Sequence, residues 1–276
     1  MVGNNNSAWR NYGLPVVVSM GVMTGANAFW IYTEVGKYLP YSLTVYLIGG
    51  SGLALVFLCR AISAGLVNGR DLGIDVSGWT APKRLLWLAL ILFFGVGGFA
   101  SLQAPPLAAQ PTAGDYWFWF TFLLLPASLA ELLVFTSVGF CLPEQWLQRR
   151  GWPAWRAGLV AALFASVTFA LYHLSHIPIF WEMIFWPLLP IFFATTVLFA
   201  LTRSFYLALL FHNAFAAVGF TAIQYSPDPE IANTYQRARF EQPEVMTSNL
   251  LAFVIPFLGL HLLEWRLQRK AAVRPG

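Results

Sequence analysis

Residues 123–141, LLLPASLAELLVFTSVGFC, constrain this chain more than any other stretch. The run is apolar and long enough to cross a bilayer, yet it carries one carboxylate, Glu131, near its middle. A bare charge at bilayer depth costs about 2.5 kcal/mol or more on insertion scales. Glu131 must therefore face protein or a water-reached cavity, not lipid. Two readings are open. The carboxyl is functional, or it is structural, kept neutral or hydrogen-bonded to a neighbouring helix. Burial and a nearby partner shift its titration in both cases, so perturbation does not separate them.

The rest of the chain has the same character. Of its 276 residues, 58% are hydrophobic and 10% charged, where a soluble domain carries about 25% charged residues. The expected fold is all-α, a polytopic membrane helical bundle of about eight transmembrane helices in one domain over residues 1–276. The polar start, MVGNNNSAWRNYG, precedes a span-length run, which is not a signal-peptide pattern. Cys59 and Cys141 both fall at or in spans, and no disulfide is expected. The net charge of +4 does not point to nucleic acid, because the basic residues gather at span ends.

The expected spans are 14–33, 42–64, 84–103, 117–141, 157–173, 179–201, 204–223 and 248–265. Alternate loops carry Arg10, then Arg60, Arg70, Lys83 and Arg84, then Arg149, Arg150 and Arg156, then Arg203, and finally Arg266, Arg269, Lys270 and Arg274. The other side holds only Lys37, Arg237 and Arg239. This bias places both termini in the cytoplasm. The loop after the fourth span, LPEQWLQRRGWPAWRAG, reads as a short interfacial helix and turn or as a plain loop with an aromatic belt. The polar segment at about 224–247 is expected on the extracytoplasmic side. Pro126, Pro187, Pro190 and Pro256 fall inside expected helices, where each removes a hydrogen bond. A bend at Pro126 opens space beside Glu131.

Few polar side chains lie within the spans. We single out Glu131, His173, His176, Glu182, His212, Asn213 and His261. Histidines and a glutamate in one bundle suit either metal binding or water activation. Imidazole offers a neutral lone pair near pH 7, and a carboxylate takes the proton that water loses on attacking a carbonyl. A lone membrane histidine more simply makes a cross-helix hydrogen bond. Three separate segments each donating a polar group favour one shared site. His176 lies one turn from His173, either on the same face or at the outer interface. Glu182 and His261 are expected near the interfaces. There is no Gly-rich phosphate loop, Cys cluster, Gly-x-Ser-x-Gly or His-Glu-x-x-His.

Three motifs together resemble the CAAX prenyl protease and bacteriocin-processing family, the glutamic intramembrane proteases. Its pattern is Glu-Glu-x-x-x-Arg, then Phe-x-x-x-His, then His-x-x-x-Asn. Here the first is ELLVFT, from Glu131 to Thr136, the second is the intact FALYH, from Phe169 to His173, and the third is HNAFA, from His212 to Ala216. RDLGIDVSGW, from Arg70 to Trp79, resembles the loop after the family's second helix. The resemblance covers about residues 60–223. The chain departs from it at Leu132, Thr136 and Ala216, which stand where the family has the second glutamate, the arginine and the asparagine.

The resemblance implies an intramembrane endopeptidase acting on a peptide or membrane-protein substrate. Glu131 would be the water-activating base, assisted by His173 and His212, with Asn213, Phe169, Thr136 and His176 in support. A divalent metal such as zinc, if used, would sit on Glu131, His173 and His212, although glutamate and histidine can act without one. The partners implied are membrane lipids and the substrate, in a bacterial inner membrane. An inactive relative serving as scaffold, peptide-binding, immunity or sorting factor is the alternative, followed by a small transporter. Depth is the open question. At about 1.5 Å per residue, His173 lies roughly 24 Å above the inner end of its span, higher than Glu131 or His212.

Overall fold

The computed structural model describes residues 5–34, 39–75, 109–175, 181–229 and 241–272, with scattered positions from 80 to 107 and Ala232; the side chains of 5, 6, 181–185, 187 and 267–272 are not described. The described chain is helical. We label its helices α1 (Trp9–Tyr32) and α2 (Ser42–Ser63), α3 (113–138), α4 (Cys141–Arg149), α5 (Ala154–His173), α6 (Trp181–Thr202), α7 (Phe205–Gln224) and α8 (Pro243–Ala272). Among the described residues, six helical runs are long and apolar enough to cross a membrane: α1, α2, the joined α3–α4, α5, α7 and most of α8. α6 occupies the place of the sixth expected span. Most of the third, about 84–103, and residues 230, 231 and 233–240 of the polar segment 224–247 lie outside the described residues.

α3 is the central rod. Every residue from 126 to 142 is buried, so its carboxylate never meets lipid. Small residues let neighbours come close. A Cβ added at Gly50 on α2 would meet Ala130 Cβ at 3.2 Å. Capping explains where α3 and α7 begin. Thr112 and Asp115 form a reciprocal capping box at the start of α3, and Asp115 also accepts a 2.7 Å hydrogen bond from Tyr225 OH, just past the end of α7. Ser204 caps α7 through the Leu207 N–H.

Pro126 does not break α3. The turn before it, Trp119–Leu123, is π-helical, with wider i to i+5 hydrogen bonding. There the Phe120 carbonyl accepts a 2.8 Å hydrogen bond from Asn213 Nδ2. A second wide stretch, Leu132–Val138, follows Glu131 directly.

The loop after the fourth expected span is largely helix. α4 follows α3 after one turn at Gly139 and Phe140, then ends in a Schellman motif in which Gly151 takes φ +86° and Trp152 N–H donates to Leu147 O at 3.1 Å. This resolves the depth discrepancy. Glu131 lies roughly 27 Å from the far end of α4, and His173 roughly 28 Å from the start of α5. The two helices form a hairpin, so their heights match. The expectation failed because it ended the fourth span at Cys141.

At this basic end, Glu144 on α4 accepts two hydrogen bonds from Arg203, at 2.7 and 2.5 Å. Burial opposes the Arg203 charge, but the carboxylate more than offsets it, and its pKa lies above the ordinary value. Gly73, at φ +66°, lets the 70–75 loop touch the start of α7. A Cβ there would come within 2.7 Å of Phe205 N, and that N–H donates to Gly73 O at 3.0 Å. Cys59 and Cys141 are both free thiols.

Candidate active site

Three helices bring Glu131, His173 and His212 together. His212 Nε2 lies 3.0 Å from Glu131 Oε2, and His173 Nε2 lies 3.6 Å from Glu131 Oε1. The carboxylate thus addresses one imidazole with each oxygen. Glu131 and His212 are buried, while the His173 side chain keeps 17% of its exposure.

The hydrogen-bond partners assign the imidazole protons. His173 Nδ1 is 3.0 Å from the Phe169 carbonyl, which can only accept. Nδ1 therefore carries the proton, and in the neutral ring Nε2 presents a lone pair. That lone pair faces a carboxylate oxygen. Two acceptors at this spacing need a proton between them, from a protonated partner or from a water donating to both. With Glu131 ionised, the hydrogen at His212 runs from Nε2 to the carboxylate, and Nδ1 is buried with no hydrogen-bond partner. Leaving such an atom unpaired costs about 1–3 kcal/mol.

The walls are aromatic. The Phe169 and Phe192 rings stack at 3.9 Å with 14° between their planes. Both meet the His212 ring near edge-on, with centroids 5.3 Å away. This packing fixes the ring and lowers the local dielectric, which strengthens the charge interactions inside.

The other expected residues fare differently. Phe169 contributes its carbonyl and its ring. Asn213 does not face the carboxylate; it accepts from Ser128 Oγ at 3.1 Å and donates to Phe120 O, tying α7 to α3 on both sides of Pro126. Thr136 is fully buried, and its hydroxyl has no hydrogen-bond partner. His176 lies outside the described residues, as does the Glu182 side chain. His261 belongs elsewhere, 3.6 Å from Glu264 and stacked on Tyr206.

The sequence reading missed Asn27. It is fully buried in α1, accepts from Tyr41 OH at 2.7 Å and donates to Ser175 Oγ at 2.6 Å. It holds the chain two residues beyond His173. An amide inside an apolar run was the available signal, by the criterion that picked Asn213.

Two imidazole nitrogens and a carboxylate are a donor set that zinc accepts. Here, however, each nitrogen addresses a carboxylate oxygen. Among the described residues no group of three or more His, Cys, Asp or Glu is arranged to hold a metal ion.

Fold and site define a class: an all-α integral membrane bundle with a buried carboxylate held between two imidazoles. No protein-family model, curated protein or solved structure matches the chain.

Proposed function

We propose that the protein is an intramembrane endopeptidase that cleaves a peptide or membrane-protein substrate with water activated by Glu131. The observation that carries this reading is the pair of facing acceptors, Glu131 Oε1 and His173 Nε2, 3.6 Å apart. A water that donates one hydrogen to each is held with its oxygen free to attack. Glu131 takes the proton as the oxygen bonds to the scissile carbonyl carbon, whose π electrons pass to the carbonyl oxygen. Collapse of the tetrahedral intermediate breaks the C–N bond, and Glu131 returns the proton to the leaving amine. His212 orients the carboxylate through its Nε2–H, and His173 positions the water. The proposed setting is a bacterial inner membrane, with both termini cytoplasmic.

The test compares Glu131→Gln with the wild type, both purified, on a reconstituted membrane-protein substrate. E131Q keeps its fold and elution profile and loses cleavage by a factor of about 10² or more, the scale of general-base catalysis. Equal rates would end the proposal.

A further inference from the structure

We infer that the Glu131 site is entered from the end of the bundle opposite the basic end, so that it acts on translocated polypeptides or on membrane proteins cut outside the cytoplasm. The substrate class rests on the endopeptidase reading; the direction of entry does not.

Toward the basic end the residues next to the site are packed. Beyond Glu131, every side chain from Leu132 to Leu142 is buried. Phe199 on α6 and Phe205 at the start of α7 are also fully buried, and Phe140 packs edge-on against Phe199 at 5.6 Å. The Glu144–Arg203 pair lies in the same region, with the Arg203 guanidinium 5.8 and 5.9 Å from the Phe140 and Phe199 rings.

In the other direction α3 and α7 also bury a cluster of Tyr116, Phe118, Trp119, Leu123, Leu124 and Ala217, and exposure rises only beside α5. The Glu131 side chain is 8% exposed and that of His173 17%. α5 stops at His173, with Leu174 as its C-cap. Leu174 and Ser175 are half-buried. The groups beside them are neutral and polar: Ser175 Oγ donates to Tyr172 O, and Asn27 bridges Ser175 to Tyr41. Of the three site residues, His173 is thus the outermost. The basic end carries Arg60, Arg70, Arg149, Arg150, Arg156 and Arg203, and the positive-inside bias makes it cytoplasmic. A water-borne segment therefore reaches the carboxylate from outside.

The experiment needs no substrate. In a chain with Cys59→Ser and Cys141→Ser, single cysteines are introduced as E131C, S175C and R150C. Right-side-out and inverted membrane vesicles are each treated with a positively charged, membrane-impermeant methanethiosulfonate. E131C and S175C should react fully in right-side-out vesicles and not in inverted ones, and R150C should do the reverse. If E131C does not accumulate, H173C takes its place. Reaction of the site cysteine from the same side as R150C overturns the inference. So does reaction from neither side while S175C still reacts. Catalytic failure is read separately: equal cleavage by E131Q and wild type removes the protease and leaves the labelling result standing.

Discussion

His212 meets Glu131 through Nε2 and leaves Nδ1 buried and unpaired. The ring is therefore kept for what Nε2 does. Glutamine places an amide near the position of Nε2 without an imidazole lone pair behind it. H212A should lower kcat about 10²-fold, the scale of one lost donor in a dry site, and H212Q should retain part of that loss; single-turnover kinetics on the same substrate read both. Phe169 is a second residue-scale test. Its side chain is fully buried and stacked on Phe192, so F169A should cost about 3–5 kcal/mol in an unfolding titration in detergent. Glu131, His173 and His212 could be read from the sequence because ionisable groups are rare in apolar runs. Their pairing could not, because it depends on which faces three helices present. Asn213 shows the limit. It is intramembrane, polar and next to His212, yet the helical turn aims it at Ser128 and Phe120.

At the scale of the elements, the joined α3–α4 helix carries both Glu131 and Glu144, and the turn into α7 carries Arg203, nine residues before His212. The Glu144–Arg203 pair thus links the same two elements as the Glu131–His212 pair. Glu144 is almost completely buried, whereas the Arg203 side chain keeps 36% of its exposure, so solvent screens part of the interaction. R203A should destabilise by about 1–3 kcal/mol, below the range for a fully buried pair. A double-mutant cycle of R203A and E144A should show coupling between them. G73A should weaken the same junction, since its Cβ would strike Phe205 N and its φ is positive; loss of thermal stability reads it. Helix existence was legible from apolar run length. The continuation of α3 into α4 was not, because LPEQWLQRR carries charge and proline and reads as the end of a span. That single boundary made His173 look too high.

For the whole molecule, the alternation of basic and acidic ends predicts how the helices are ordered across the bilayer. A reporter fused at the C-terminus should be active only in the cytoplasm, and a cysteine replacing Thr112, at the start of α3, should label only from outside. Labelling of both positions from one side would contradict the assigned topology. Six of the expected spans are spanning helices among the described residues, and they were readable from apolar run length. The direction in which the site opens was not, since it depends on how tightly residues 132–142 pack against α6 and α7.

The proton on His173 is set by the Phe169 carbonyl, a main-chain oxygen. Swapping the side chain at 169 leaves that acceptor in the polypeptide. An alanine survey of the pocket would therefore report on ring packing and stay blind to the group that decides which imidazole nitrogen is bare. Only a change in the path of the backbone, such as a shift in the pitch of α5, reaches it.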